Sequence, residues 1–212
     1  MKLISTLMNY VLLTTKKLSF DDSHGLMHSM ETLEYANKIF ENELPNNSRL
    51  IYDKNIIYAS AILHDMVDKK YRDESLATLE IENLLNSETD MTKEEISITK
   101  NIINTMSYSK VKKQGYPNLG IYQSAYHIVR EADLLCAYDF DRALIYDMAK
   151  NNNTFQESYE NSHKLFIKRV FQYCNDDLFI HNFSKKEAYL LHDKSIKQIE
   201  NWRKIINLKK IY

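Results

Sequence analysis

Apolar residues recur at helical rather than alternating spacing along most of the chain, and polar clusters cut the pattern into segments. Leu3, Leu7, Tyr10 and Val11 mark one face of a first helix, closed by Lys16 and Lys17, where cations favour the carbonyl end. The acids and serines of residues 19–23 suit a new helix start. Leu26, Met30, Leu33, Ala36, Ile39 and Phe40 supply that second helix's apolar content, up to the break before Leu44-Pro45-Asn46-Asn47. Asp53 is placed to cap a third helix running through Ile56, Ile57, Ala59, Ala61, Ile62 and Leu63 to His64, with small residues that let neighbouring helices approach.

A helix over about 73–85 follows, and the capping-box spacing Thr92-Lys93-Glu94-Glu95 opens another, carried by Ile96, Ile98, Ile102, Ile103 and Met106. Residues 107–120, with Lys110, Lys112, Lys113, Gly115 and Pro117, read as the longest loop. Residues 121–137 read as a helix whose Ala125, Ile128, Val129, Ala132 and Cys136 pack inward. After a short polar linker, Asn151-Asn152-Asn153, the capping-box spacings Thr154 to Glu157 and Ser184 to Glu187 predict helices reaching about Cys174 and Lys204.

The pattern therefore predicts an all-α fold, and the composition agrees: three glycines and two prolines are too few for a sandwich or barrel with many tight turns. At 212 residues one domain over 1–212 is expected, with no internal repeat or heptad seam. Lys plus Arg is 28 against 29 for Asp plus Glu, which leaves no basic field for a dedicated nucleic-acid-binding role. Cys136 and Cys174 cannot make a disulfide framework, so a reducing, cytoplasmic setting is expected. Polar residues interrupt the apolar run of the first 13 residues and no small-x-small site follows, unlike a signal peptide. No stretch approaches the roughly 18 apolar residues of a membrane span.

The candidate chemistry sits at the end of the third helix, in Ala59-Ser60-Ala61-Ile62-Leu63-His64-Asp65-Met66-Val67-Asp68. An adjacent imidazole and carboxylate after an apolar run are expected to be buried, where the charge needs compensation; a divalent metal provides it, and these are nitrogen and oxygen ligands that such ions take. A second copy, Leu190-Leu191-His192-Asp193-Lys194, lies among Lys185, Lys186, Glu187, Lys197 and Glu200 and lacks an acid three places after Asp193, so it reads as ordinary helix surface.

Taken with Ser23-His24-Gly25-Leu26-Met27-His28 upstream and Glu131-Ala132-Asp133-Leu134-Leu135 downstream, the pair resembles the H…HD…D signature of the HD-domain metal-dependent phosphohydrolase superfamily, over about residues 21–146. The resemblance implies a single-domain HD-type helical bundle, and the C-terminal helices over 154–206 are expected to pack on it. The resemblance itself, which stops short of those helices, implies a metal site of His28, His64, Asp65 and Asp133, the ligand being the second histidine of its segment and His24 a loop or substrate-side residue. Consecutive helical residues point about 100° apart, so His64 and Asp65 share an ion only against the flank of their helix, with the other ligands arriving from neighbouring helices. Such a mixed set suits Mn, Fe, Co or Ni better than Mg.

The same resemblance gives Asp68, one turn after Asp65, the positioning of the attacking water, against the alternative of a helix-end salt bridge with Lys69 or Lys70. Lys69 is placed to meet charge developing on a phosphoryl group; Lys70, Arg72, Lys110, Lys112 and Lys113 are candidates for substrate phosphate. Where many relatives have a His before a Ser-aromatic-Ser segment, this chain has Met106-Ser107-Tyr108-Ser109, so one metal is expected. Asp139, Asp141 and Arg142 read as a structural ion-pair cluster. The implied activity is hydrolysis of a small phosphoester, with a nucleotide leading. The rivals are an HD-fold di-iron oxygenase, with His127 as a possible extra donor, and a catalytically silent metal-binding or interaction module.

Overall fold

A computed structural model describes residues 2–20 and 25–206, and His24 lies outside the described residues. Among the described residues the chain is helical throughout, with no strand. The ten α-helices are α1 (Lys2–Leu18), α2 (Leu26–Glu43), α3 (Lys54–Leu63), α4 (Glu74–Glu88), α5 (Lys93–Thr105), α6 (Tyr108–Gln114), α7 (Gln123–Cys136), α8 (Phe140–Asn151), α9 (Phe155–Lys168) and α10 (Asn182–Ile205).

Helix α3 is the axis of the fold. After the exposed Lys54 and Asn55 its sequence is apolar nearly all round, as suits a helix with little solvent face, and Ile56 to Leu63 are buried except for the half-buried Tyr58. Ile56, Ile57 and Ala61 enter one apolar cluster, shared with α2, α5, α7, α8, α9 and α10. Ala59, Ile62 and Leu63 enter a second, shared with α1, α4 and α5. Ala59, Ser60 and Ala61 keep the helix thin, and α1, α2, α5 and α7 pack directly against it.

The capping boxes at Thr92 and Thr154 form as their spacing predicts. Other boundaries differ. Asp53 does not cap α3, because its buried carboxylate is turned to Arg49, 2.6 Å from Nη1. Asp73 caps α4 instead of lying within it. Ser184 is buried inside α10, which begins at Asn182 after His181. Helix α9 stops at Lys168 rather than near Cys174, and a 3-10 turn, Val170–Gln172, follows.

The expected loop over 107–120 holds a helix. Val111 buries itself and pins α6 to the body. Gly115, at φ 74°, closes α6 and donates its N–H to the Val111 carbonyl at 2.8 Å, a left-handed C-terminal stop that favours glycine.

A buried polar clamp ties the C-terminal helices to the rest. Glu131 on α7, fully buried, accepts from the backbone N–H of Ile180 at 2.8 Å and of His181 at 3.3 Å, and lies 3.1 Å from the His181 ring. The clamp fixes α7 two residues before Asp133.

Candidate metal centre and its cleft

After Leu63 the backbone tightens into a 3-10 turn, His64–Val67, which ends as Asp68 turns extended and donates its N–H to the Asp65 carbonyl at 3.1 Å. His64 Nδ1 donates to the Ala61 carbonyl at 2.9 Å, which fixes the tautomer and turns Nε2 outward as an acceptor. His28 reaches it from the first turns of α2 and Asp133 from α7.

The four side chains converge on one point. His28 Nε2 lies 3.1 Å from His64 Nε2, 3.3 Å from Asp65 Oδ2 and 3.4 Å from Asp133 Oδ1. His64 Nε2 lies 3.4 Å from Asp65 Oδ1 and 3.6 Å from Asp133 Oδ1. Donors held about 2.1 Å from a common ion stand about 3.0 Å apart at right angles and about 3.4 Å apart at tetrahedral angles, so these separations fit a shared divalent ion. Asp65 Oδ2 is buried with no hydrogen-bond partner, an arrangement that is costly without a cation. The site therefore has the donors and the unmet charge of a metal centre.

Burial has the largest influence on three of these groups. It carries the His28 imidazole below its ordinary range, only partly offset by Asp133. It also works against His64, but the carboxylates of Asp65 and Asp133 outweigh it and the net direction is upward. Burial alone raises Asp133, yet His28, His64 and Arg142 together hold its carboxyl well below the usual carboxylate range.

A second donor grouping, His28 with Glu31 and Cys136, lies behind the first. Arg142 already supplies a cation there: its guanidinium contacts His28 Nδ1 and donates to the Cys136 carbonyl at 3.0 Å. This corrects the reading of Asp139, Asp141 and Arg142 as an ion-pair cluster. Asp139 caps α8, and Asp141 accepts from the Trp202 indole at 2.6 Å.

These four side chains, His28, His64, Asp65 and Asp133, line a cleft of about 430 Å³ that is also lined by Asp68, Lys69, Lys70 and Lys110. Asp68 accepts from the Lys70 N–H at 2.9 Å and lies 3.4 Å from Lys70 Nζ, so it forms the helix-end pair while also facing the cleft. Lys110 is paired with Glu74. Three expected phosphate contacts do not line it. Arg72 turns to Glu80 and Tyr10, while Lys112 and Lys113 lie exposed on α6, Lys112 3.2 Å from the Tyr108 hydroxyl. With residues 108–114 helical, Lys110 lines the cleft while Lys112 and Lys113 stay outside it.

The sequence reading missed Tyr108, Arg142, Tyr146, Arg169 and Tyr173, which also line the cleft. Tyr108 was visible only as the aromatic of its Ser-aromatic-Ser segment and Arg142 only as a supposed ion-pair member; the elements carrying the five come together through tertiary packing. His127 is elsewhere, between Gln123 and Arg130. His192 is half-buried against Phe171, with ring centroids 4.2 Å apart, and so is not simple surface.

No protein-family model matches the chain, and no curated protein does. Among solved structures, a structural-genomics target from Lactobacillus plantarum superposes with a TM-score of 0.71 at 19% identity, covering 98% of each chain. Bacillus subtilis YpgQ in complex with ADP superposes with a TM-score of 0.67 at 21% identity, covering 96% of this chain and 97% of that one. At these identities the likeness establishes an all-α fold shared along the whole length. No helix among the described residues is long and apolar enough to cross a membrane.

Proposed function

We propose that this chain is a metal-dependent phosphohydrolase of the HD type, acting on a small phosphoester, with a nucleotide as the leading substrate class. The observation that carries the reading is the convergence of Asp65 and Asp133 on the His28 and His64 nitrogens, each within 3.6 Å of both, with Asp65 Oδ2 buried and without a hydrogen bond. The adjoining cations and the ADP bound by the structural neighbour YpgQ support a phosphorylated substrate. The His₂Asp₂ donor set favours Mn, Fe, Co or Ni over Mg.

A divalent ion there supplies Lewis-acid polarisation of a phosphoryl oxygen and activation of water for attack. The chain's own groups do the rest. His64, locked by Ala61, presents a neutral nitrogen and His28 reaches the same point from α2; Asp65 and Asp133 balance the ion's charge. Asp68, steadied by the Lys70 backbone, orients the attacking water and accepts its proton, while Lys69 meets the charge gathering on the phosphoryl group.

The test is elemental analysis of the purified protein together with turnover on a panel of nucleotides and other phosphoesters, with Mn added. One metal per chain and phosphate release are expected. Metal without turnover on any member would leave the silent-module reading standing instead.

A further inference from the structure

Arg169 stands at the break between α9 and the turn Val170–Gln172, on the wall of the cleft that also holds the four metal ligands. Two contacts hold its guanidinium. The group lies over the Tyr108 ring, 4.6 Å from the centroid, and Nε donates to the Tyr173 hydroxyl at 2.9 Å. Tyr173 is fully buried, and its ring packs 5.3 Å from that of Tyr108. The stem and Nε are thereby fixed, while Nη1 and Nη2 have no hydrogen-bond or carboxylate partner among the described residues.

That arrangement is a fork prepared for an anion, with two parallel donors on a plane whose orientation is set before ligand arrives. The fork faces the same cleft as His28, His64, Asp65 and Asp133. Lys70 and Lys110, by contrast, have carboxylate partners in Asp68 and Glu74.

A substrate with one phosphate would place it among the metal ligands and have no second charge for Arg169. We propose that Arg169 is a specificity-determining residue that binds a second anionic group of the substrate, selecting nucleoside di- and triphosphates over monophosphates. This rests on the phosphohydrolase reading for the identity of the first anchor.

The experiment measures equilibrium binding of AMP, ADP and ATP to the Mn-loaded protein by calorimetry, and hydrolysis of the same three compounds. In the wild type, affinity should rise with the number of phosphates. In Arg169→Gln the Kd for ADP and ATP should rise by about tenfold or more, the scale of a charge-assisted contact, with AMP changed less than about twofold. Arg169→Lys should recover only part, keeping the charge but not the fork. Tyr173→Phe should give an intermediate loss because it frees Nε while keeping the ring, and it controls for disturbance of the fold. Equal effects on all three nucleotides, or none, would overturn the assignment. Turnover that is indifferent to the second phosphate would overturn it while leaving phosphohydrolysis intact. The expected binding pattern without turnover would sink the phosphohydrolase reading and leave Arg169 as an anion-binding residue.

Discussion

Replacing Asp65 by Ala should uncouple the fold from divalent metal, and the size of the effect follows from the geometry. A ligand that binds only the folded chain stabilises it by about 2.7 kcal/mol when present at about 100 times its Kd. For a chain of about this length each kcal/mol moves Tm by about 2–4 °C, so Mn should raise Tm by about 5–11 °C. Asp65 supplies both a ligand oxygen to the cluster and its buried, unpartnered atom. If its loss weakens binding at least about 100-fold, the same Mn concentration no longer exceeds the Kd, and the remaining stabilisation is about 0.4 kcal/mol or less, under about 2 °C. Without metal, removing an uncompensated buried carboxylate offsets the loss of its attraction to the two imidazoles, so the variant's Tm should stay within about 3 °C of wild type. Scanning calorimetry with and without Mn, alongside elemental analysis, reads both halves. An equal Mn-dependent shift in wild type and variant would refute the reasoning.

Asp68→Asn should retain metal by elemental analysis while kcat falls by roughly 10²–10⁴, the usual share of a general base; undiminished turnover would leave Asp68 only its pairing with Lys70. Replacing Lys112 and Lys113 together by Ala should leave KM within about twofold, whereas Lys69→Ala should raise KM and lower kcat at low ionic strength, because only Lys69 of the three lines the cleft. The opposite ranking in steady-state assays would relocate substrate binding. Burial, and then Arg130, pushes His127 down to about 4 from its ordinary 6.5. Its folded pKa is the lower one, so its contribution to stability is complete above about pH 6.5 and lost as pH falls towards 4. After allowance for solvent screening, His127→Gln should remove about 1–2 kcal/mol of that pH dependence in urea unfolding at pH 7.5 and 4.5; an unchanged pH dependence would be the contrary result.

The helical class, the order of the main helices and the approach of Asp65 and Asp133 to His28 and His64 were legible because each rests on local periodicity or on a spaced signature. The cleft's far wall was not. Lys110, Gly115 and Pro117 resemble loop residues, and α6 forms among them because Val111 finds a buried place, which no local pattern announces. Ser184 to Glu187 has capping-box spacing, yet the Glu131 clamp on Ile180 and His181 sets the chain's entry and α10 starts earlier. Arg142 read as part of an ion-pair cluster and Arg169 had no sequence signal; their placement depends on how α8 and α9 pack over α7 and α10.

Because α3 contributes side chains to both apolar clusters, its backbone amides can open only when the two clusters come apart together. Hydrogen exchange in α3 should therefore track global unfolding, and His64 and Asp65, hung from its end, belong to the slowest-exchanging unit of the molecule. Arg169 is carried instead on an exposed stretch at the end of α9. The two walls of the cleft are thus anchored differently: His64 and Asp65 open only with the whole fold, whereas Arg169 keeps its orientation through its local contacts with Tyr108 and Tyr173.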